Sequence, residues 1–273
     1  MPWQRVETEP LDIDTGVTPA SARAIASALL RRAVPLLVRR DGRVEPLATA
    51  TLYRIAGRVL LVTCRHVFDD GCATLGDLTI PLPQSHQLLW LTRCARRVLA
   101  HPQRDLALIE LAPGAAREAL LREWQAVPMT ADALDALDGF SADAGAAALF
   151  VLAGWPYSQM RRLDDIVYAR PVVVFASRCR RTGADGEQGM TLHLSYGHVA
   201  RRTDGIDVRA PELDGVSGAT VWEVRNLQPD DASGDASGCE LRPAGIQFAF
   251  RHDAYARAEL LGQARDLMER VRS

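Results

Sequence analysis

The stretch Ala48-Thr-Ala-Thr-Leu-Tyr-Arg-Ile55, Ala56-Gly57, Arg58-Val-Leu-Leu-Val-Thr63 decides the fold. Two runs rich in β-branched, aromatic and aliphatic residues are separated by two residues ending in glycine, which is the pattern of a tight hairpin. Immediately upstream, Val34 to Arg39 and the dipeptide Asp41-Gly42 repeat it, so three successive strands joined by two hairpin turns are predicted. Downstream, short apolar runs continue at Leu88 to Leu91, Ala107 to Leu111, Ala147 to Ala153, Val172 to Ala176, Thr191 to Tyr196, Thr220 to Val224 and Gly245 to Phe250. Many short strands broken by turn residues imply an all-β barrel or sandwich.

Helical spacing is confined to the ends and to one interruption. Thr18-Pro19 can cap and open a helix reaching about Arg32, with Ala22, Ile25, Ala26, Leu29 and Leu30 recurring along one side, and it reads as a surface prefix. Residues 112–145, rich in Ala, Asp and Gly with a helical stretch from Ala115 to Trp124, read as a connection between two halves. The polar segment Gln228 to Gly238 reads as an exposed hairpin tip, and Asp253 to Val271 resumes helical spacing, expected to pack on the last barrel. The predicted organisation is therefore an N-terminal extension with a helix (1–32), a first β-barrel (33–111), an inter-barrel linker (112–145), a second β-barrel (146–252) and a C-terminal helix (253–273).

Composition narrows the function classes. The 273 residues are 48% hydrophobic, enough for one catalytic unit with one large core or two modest ones. With 32 basic and 34 acidic residues, a net charge of -2 and no long block of either sign, no nucleic-acid or membrane partner is expected. The first ten residues carry acids and lack an apolar core, and no later run is long enough to span a bilayer, so a cytoplasmic location is expected. Five cysteines without a Cys-x-x-Cys pair point to reduced thiols, and no His/Asp/Glu cluster has metal-ligand spacing. No metal or cofactor is predicted. Cys64 is the one thiol expected near the chemistry.

Three segments carry that chemistry. The strand Leu60 to Thr63 runs into Cys64-Arg-His66-Val67; Asp105 precedes the buried-type run Leu-Ala-Leu-Ile-Glu-Leu111; and Ser217 lies in the glycine-flanked turn Asp214-Gly-Val-Ser-Gly218. Serine is a weak nucleophile at its own pKa and needs a base within hydrogen-bond reach, a role an imidazole fills near neutral pH. A carboxylate on the far ring nitrogen fixes the imidazole's tautomer and stabilises the imidazolium. Singly, each residue has a plainer role: a turn serine, a loop-ending aspartate, a capping histidine. His86, His101, His193, His198 and His252 keep that plainer reading. Together, and in the order His, Asp, Ser, the three form a candidate triad of His66, Asp105 and Ser217.

These motifs resemble those of trypsin-like serine peptidases of the chymotrypsin superfamily, in their bacterial intracellular form. Thr63-Cys-Arg-His66-Val67, Asp105-Leu-Ala-Leu108 and Gly215-Val-Ser217-Gly218 carry the likeness over residues 33–250, supported by Ala153-Gly-Trp-Pro156 and Ala244-Gly-Ile246. The resemblance implies two antiparallel β-barrels with the triad at their seam, and an oxyanion hole made by the backbone N–H groups of Gly215 and Ser217. It implies peptide-bond hydrolysis through an acyl-enzyme, with a protein or peptide as partner. The family's Gly-Asp-Ser-Gly is here Gly215-Val-Ser217-Gly218, so the acid that pairs with a freed N-terminus in activated zymogens is absent. The orientation of the Gly215 N–H then rests on packing, and an activating partner that closes an open oxyanion hole is one expectation. Phe248 and Phe250 fall where the family carries a serine and a cleft glycine, and the uncharged Pro211 falls at the floor of the primary pocket. The alternative to an endopeptidase is a protease-fold binding module whose oxyanion hole is incompletely formed.

Overall fold

The structure is a computed structural model that describes residues 3–69, 73–138, 148–163, 166–179, 191–227, 239–251 and 254–272. The predicted hairpin tip at 228–238, Cys72 and His252 lie outside the described residues. The three opening strands form as the sequence dictates: Ala33–Arg40, Arg43–Ile55 and Arg58–Thr63 pair antiparallel, with Arg40 facing Arg43 and Ile55 facing Arg58 across two-residue turns. Both turns have positive φ at both positions, Asp41 and Gly42 at 49° and 76°, Ala56 and Gly57 at 48° and 79°, matching the right-handed twist of the flanking strands.

Those strands centre an eight-stranded sheet ordered Gln87–Trp90, Leu78–Leu82, Ala33–Arg40, Arg43–Ile55, Arg58–Thr63, Ala107–Leu111 and Ala95–Ala100, with Val127–Met129 added parallel to Arg43–Ile55. The second, nine-stranded sheet runs Thr191–Ser195, Tyr255–Leu260, Glu240–Arg251, Thr220–Arg225, Leu149–Gly154, Val172–Ser177, Leu11–Ile13, Val199–Arg202 and Asp207–Arg209. Both curl, and few helices accompany them, as the all-β expectation requires. A three-stranded sheet joins Trp3–Arg5, Ile166–Ala169 and Met160–Leu163.

The ends differ from the sequence reading. Residues before the first barrel are no surface prefix: Leu11–Ile13 adds parallel to Val172–Ser177 inside the second sheet, and Trp3 is 1% exposed. The helix Pro19–Leu30, capped by the Thr18 hydroxyl accepting from Ser21 N–H, buries Ala22, Ile25, Ala26 and Leu29 in the large core shared with the first sheet. The linker supplies the helices Ala115–Glu123 and Ala131–Asp138 but also the strand Val127–Met129, whose three residues are too short for periodicity to reveal. At the C-terminus, Tyr255–Leu260 is a strand, with Ala256, Ala258 and Leu260 alternating inward. Only Arg265–Arg272 is α-helical, and it packs on the first sheet, where Arg97 donates to the Arg270 carbonyl at 3.2 Å and Leu267, Met268 and Val271 enter the large core.

The two sheets meet along a buried seam of hydroxyls. Tyr53 Oη, Thr51 Oγ1 and Thr220 Oγ1 form a chain at 2.8 and 2.9 Å, joining the long first-sheet strand to the strand that follows Ser217. Trp155, fully buried, donates its indole N–H to Ala33 O at 2.8 Å and packs edge-on against Trp3 and Trp124 at 5.5 and 6.3 Å. Buried polar groups left unmatched would cost more than their hydrogen bonds return, so this seam fixes one relative placement of the sheets.

Candidate active site

His66 sits in the short 3₁₀ turn Arg65–Val67, where the strand Arg58–Thr63 leaves the sheet. Its neighbour Val67 is buried and acts as the anchor, while the imidazole side chain is 45% exposed. Asp105 ends the loop before the buried strand Ala107–Leu111 and engages His66 twice, accepting its backbone N–H at 2.9 Å and lying 2.6 Å from its Nδ1. Burial pushes the Asp105 carboxyl up, but the His66 ring and backbone hydrogen bonds and the imidazole's charge outweigh it and hold the pKa below the ordinary carboxylate range. An ionised Asp105 only accepts, so the proton of a neutral His66 resides on Nδ1 and Nε2 is left basic.

Two groups outside the candidate triad shape this pair, Arg65 of the His66 motif and His101 in the capping role expected of it. Arg65 donates to His101 O and Pro102 O, both at 3.1 Å, and reaches Asp69 at 3.1 Å, tying the His66 turn to the Asp105 loop. His101 Nδ1 accepts the N–H groups of Gln103 and Arg104 at 3.1 and 2.9 Å, closing that loop. Burial and the neighbouring Arg104 lower the His101 pKa, so the nitrogen stays free to accept. A lone histidine opening the loop between the strands Ala95–Ala100 and Ala107–Leu111 has no periodic signal, and only its position relative to Asp105 hints at the role.

Ser217 comes from the second sheet, in the turn ahead of Thr220–Arg225. The turn bridges the sheets: on the first, Thr49 N–H donates to Ser217 O at 2.9 Å, and on the second, Gly218 N–H donates to Gln247 O at 2.7 Å. The same Gln247 carbonyl accepts the Cys64 thiol at 3.1 Å, so Gly218 and the residue two before His66 share one acceptor. Gly218 has φ +93°, and a Cβ there would lie 2.1 Å from Thr49 O and 2.3 Å from Thr63 Oγ1. Only glycine permits this approach. Ser217 Oγ, half-buried, has one hydrogen-bond partner among the described residues, Phe248 O at 3.5 Å, and none to His66.

The backbone around Ser217 is paired selectively. Val216, Gly218 and Ala219 donate to Leu213, Gln247 and Val216 carbonyls, whereas the N–H groups of Gly215 and Ser217 have no partner among the described residues. The Val216-to-Leu213 bond at 2.9 Å and the +90° φ of Gly215 define Leu213–Asp214–Gly215–Val216 as a type II turn. Two unpaired donors at alternate positions beside a hydroxyl are what a developing oxyanion requires.

The predicted cleft residues separate. The Tyr196 hydroxyl donates to Pro211 O and its ring stands edge-on to Phe250 at 6.4 Å, so Pro211 and Phe250 belong to one aromatic-lined region of the second sheet. Phe248 contributes its carbonyl to Ser217, while its ring lies under the Arg257 guanidinium at 5.0 Å and against the large core. Cys64, two residues before His66, is fully buried, and burial and the Asp105 charge push its thiol well above the ordinary range, toward the protonated form. Donor atoms of Cys64, His66 and Asp105 lie within 4.8 Å of one another. With the thiol protonated and bonded to Gln247 O and Nδ1 bonded to Asp105, these groups fit an organised imidazole better than a metal ligand set.

No family model matches the chain, and no curated protein sequence matches it. Among solved structures it is similar to the Drosophila Grass clip serine protease of the Toll pathway, at 10% identity and a TM-score of 0.50, covering 98% of this chain and 73% of that one. A structure from work on the coupled folding and binding of the Sesbania mosaic virus VPg protein aligns at 11% identity and a TM-score of 0.45, over 85% of this chain and 88% of that one. The first likeness establishes a chymotrypsin-like double-barrel fold. No described helix is long and apolar enough to cross a membrane.

Proposed function

We propose that this chain is a serine endopeptidase that cleaves peptide bonds through Ser217, His66 and Asp105. The observation that carries the reading is the pair of unpaired backbone N–H groups at Gly215 and at Ser217 itself, in a turn whose Gly218 shares the Gln247 carbonyl with Cys64, two residues before the Asp105-bonded His66. In the proposed reaction the Ser217 hydroxyl leaves Phe248 O, gives its proton to His66 Nε2 and forms an Oγ–C bond with the substrate carbonyl. The oxyanion takes the Gly215 and Ser217 N–H bonds. Collapse breaks the C–N bond as His66 returns the proton to the departing amine, and water then releases the acyl group by the same steps. Asp105 keeps Nε2 basic and pairs with the imidazolium, remaining ionised itself.

The half-buried cleft residue Phe250, edge-on to Tyr196, favours substrates with a small or flat group beside that wall. A limited set of protein substrates in the cytoplasm, as in the bacterial intracellular peptidases the motifs resemble, follows from the same reading. One observation favours the binding-module alternative: Ser217 Oγ rests on Phe248 O rather than His66. Labelling with a fluorophosphonate, together with digestion of a denatured protein, separates the two. Covalent labelling and cleavage, both lost in Ser217→Ala, establish the peptidase; an unlabelled serine and intact substrate establish the module.

A further inference from the structure

The hydroxyl of Thr49 is the least expected feature near the serine, because it comes from the first sheet and is engaged on both sides. Thr49 Oγ1 donates to Gly215 O at 3.0 Å and accepts the Trp155 N–H at 3.1 Å, in a site with no solvent exposure. One residue earlier in the turn, Asp214 O accepts the Tyr157 N–H at 2.8 Å. The carbonyls of both peptide groups flanking Gly215 are therefore held, one from a strand of the first sheet and one from the short 3₁₀ turn Tyr157–Gln159 that follows the second-sheet strand Leu149–Gly154.

The consequence for the turn is specific. Type I and type II turns share the same end positions and differ by a rotation of about 180° of the central peptide, here the bond between Asp214 and Gly215. Glycine accommodates either sign of φ, so the sequence alone leaves both accessible. In a planar trans peptide the C=O and N–H point opposite ways, and turning Asp214 O away from Tyr157 would swing the Gly215 N–H off its present direction. The following residue, Val216, is apolar and fully buried and supplies no charge to restrain this. The direct restraint on the rotating peptide is the Tyr157 N–H on Asp214 O, with the Tyr157 ring, whose carbon atoms lie 2.4 and 2.6 Å from where a Gly215 Cβ would stand. The Thr49 hydroxyl fixes the adjoining peptide through Gly215 O, the pivot about which the rotation would occur. Tyr157 is itself anchored by its hydroxyl donating to Leu47 O, two residues before Thr49. Thr49 also donates its backbone N–H to Ser217 O, so one residue contacts both positions that carry the unpaired donors.

We propose that Thr49, which anchors the pivot at Gly215 O, and Tyr157, which holds Asp214 O, act together as positioning residues that keep the Gly215 N–H aimed for an oxyanion without an activating partner. This rests on the peptidase reading above. The test uses the full chain with Thr49→Val, which keeps shape and removes the hydroxyl, and Thr49→Ser, which restores it. On a peptide substrate, Thr49→Val is expected to lower kcat about 100-fold, the effect of losing one oxyanion donor, with KM changed less than about threefold and the pH midpoints unmoved. Thr49→Ser should recover most of the rate. If Thr49→Val does not fold, Tyr157→Phe, at a residue 40% exposed, replaces it with an expected kcat loss of about threefold to tenfold. A crystal structure of Thr49→Val in the Ser217→Ala background, or of Tyr157→Phe in that background where Thr49→Val does not fold, reads the turn independently of activity. A turn converted to type I supports the clamp; a turn still type II, or a variant with undiminished kcat, overturns it. Hydrolysis that survives Ser217→Ala refutes the peptidase reading instead, and the turn geometry then decides the clamp alone.

Discussion

Replacing Gly218 by alanine probes the contact on which the site depends. The glycine has φ +93°, where a side chain costs about 1–2 kcal/mol. Its new Cβ would meet Thr49 O at 2.1 Å, Thr63 Oγ1 at 2.3 Å and Thr63 Cα at 3.1 Å, two of them backbone atoms of the first sheet that cannot rotate away. Relieving a contact more than an ångström too short means opening the seam, an overpacking penalty of about 1–3 kcal/mol. The stiffer unfolded chain offsets about 0.4–1 kcal/mol. The net expectation is a loss of about 1–4.5 kcal/mol, read by urea titration with linear extrapolation. Gly42→Ala is the control: φ is +76° but nothing lies within 4 Å, so only the backbone penalty remains and activity is retained. Gly218→Ala should also lose most hydrolysis, because Ser217 moves with the seam. Equal losses of stability in the two variants would refute the claim that the first sheet presses on Gly218.

Asp105→Asn keeps an oxygen for the His66 backbone N–H but turns an amide donor toward Nδ1, forcing the proton to Nε2; kcat on a peptide substrate should fall by about 10⁴, with the fold intact by circular dichroism. Acid should destabilise the chain in a defined window. Asp105 and the buried Glu110, paired with Arg58 and Arg97 at 2.9 and 2.7 Å, both have carboxyl pKa values held below ordinary, against burial that pushes them up. A depressed folded pKa gives stability that is complete above the unfolded value, about pH 4, and is lost as pH falls through the folded one. Thermal melts from pH 7 to pH 2 should show the decline beginning below about pH 5, and a shallower decline in Glu110→Gln; identical slopes would remove Glu110 from the account.

The sequence determined what short-range pattern can encode. Runs of alternating and β-branched residues around Asp41-Gly42 and Ala56-Gly57 specify hairpins locally, and they form at those positions. Asp105 ahead of a buried run meets His66 as its motif implied, because both residues sit at the ends of adjacent strands, Arg58–Thr63 and Ala107–Leu111, whose register is set by burial. The elements that escaped the reading are those whose conformation is imposed by a distant partner. Leu11–Ile13 and Val127–Met129 are three-residue strands that exist only because another sheet offers an edge, and Tyr255–Leu260 carries alanines that satisfy helix and strand alike until the second core selects the strand. The same division runs through the site. A glycine-flanked serine is visible in the chain, but the direction of the Gly215 N–H is a choice between two turns of nearly equal local energy. The groups that hold the two flanking carbonyls, the Thr49 hydroxyl on the first sheet and the Tyr157 N–H in the 3₁₀ turn after Leu149–Gly154, are far from the turn in sequence, so only the assembled seam can bring them to it.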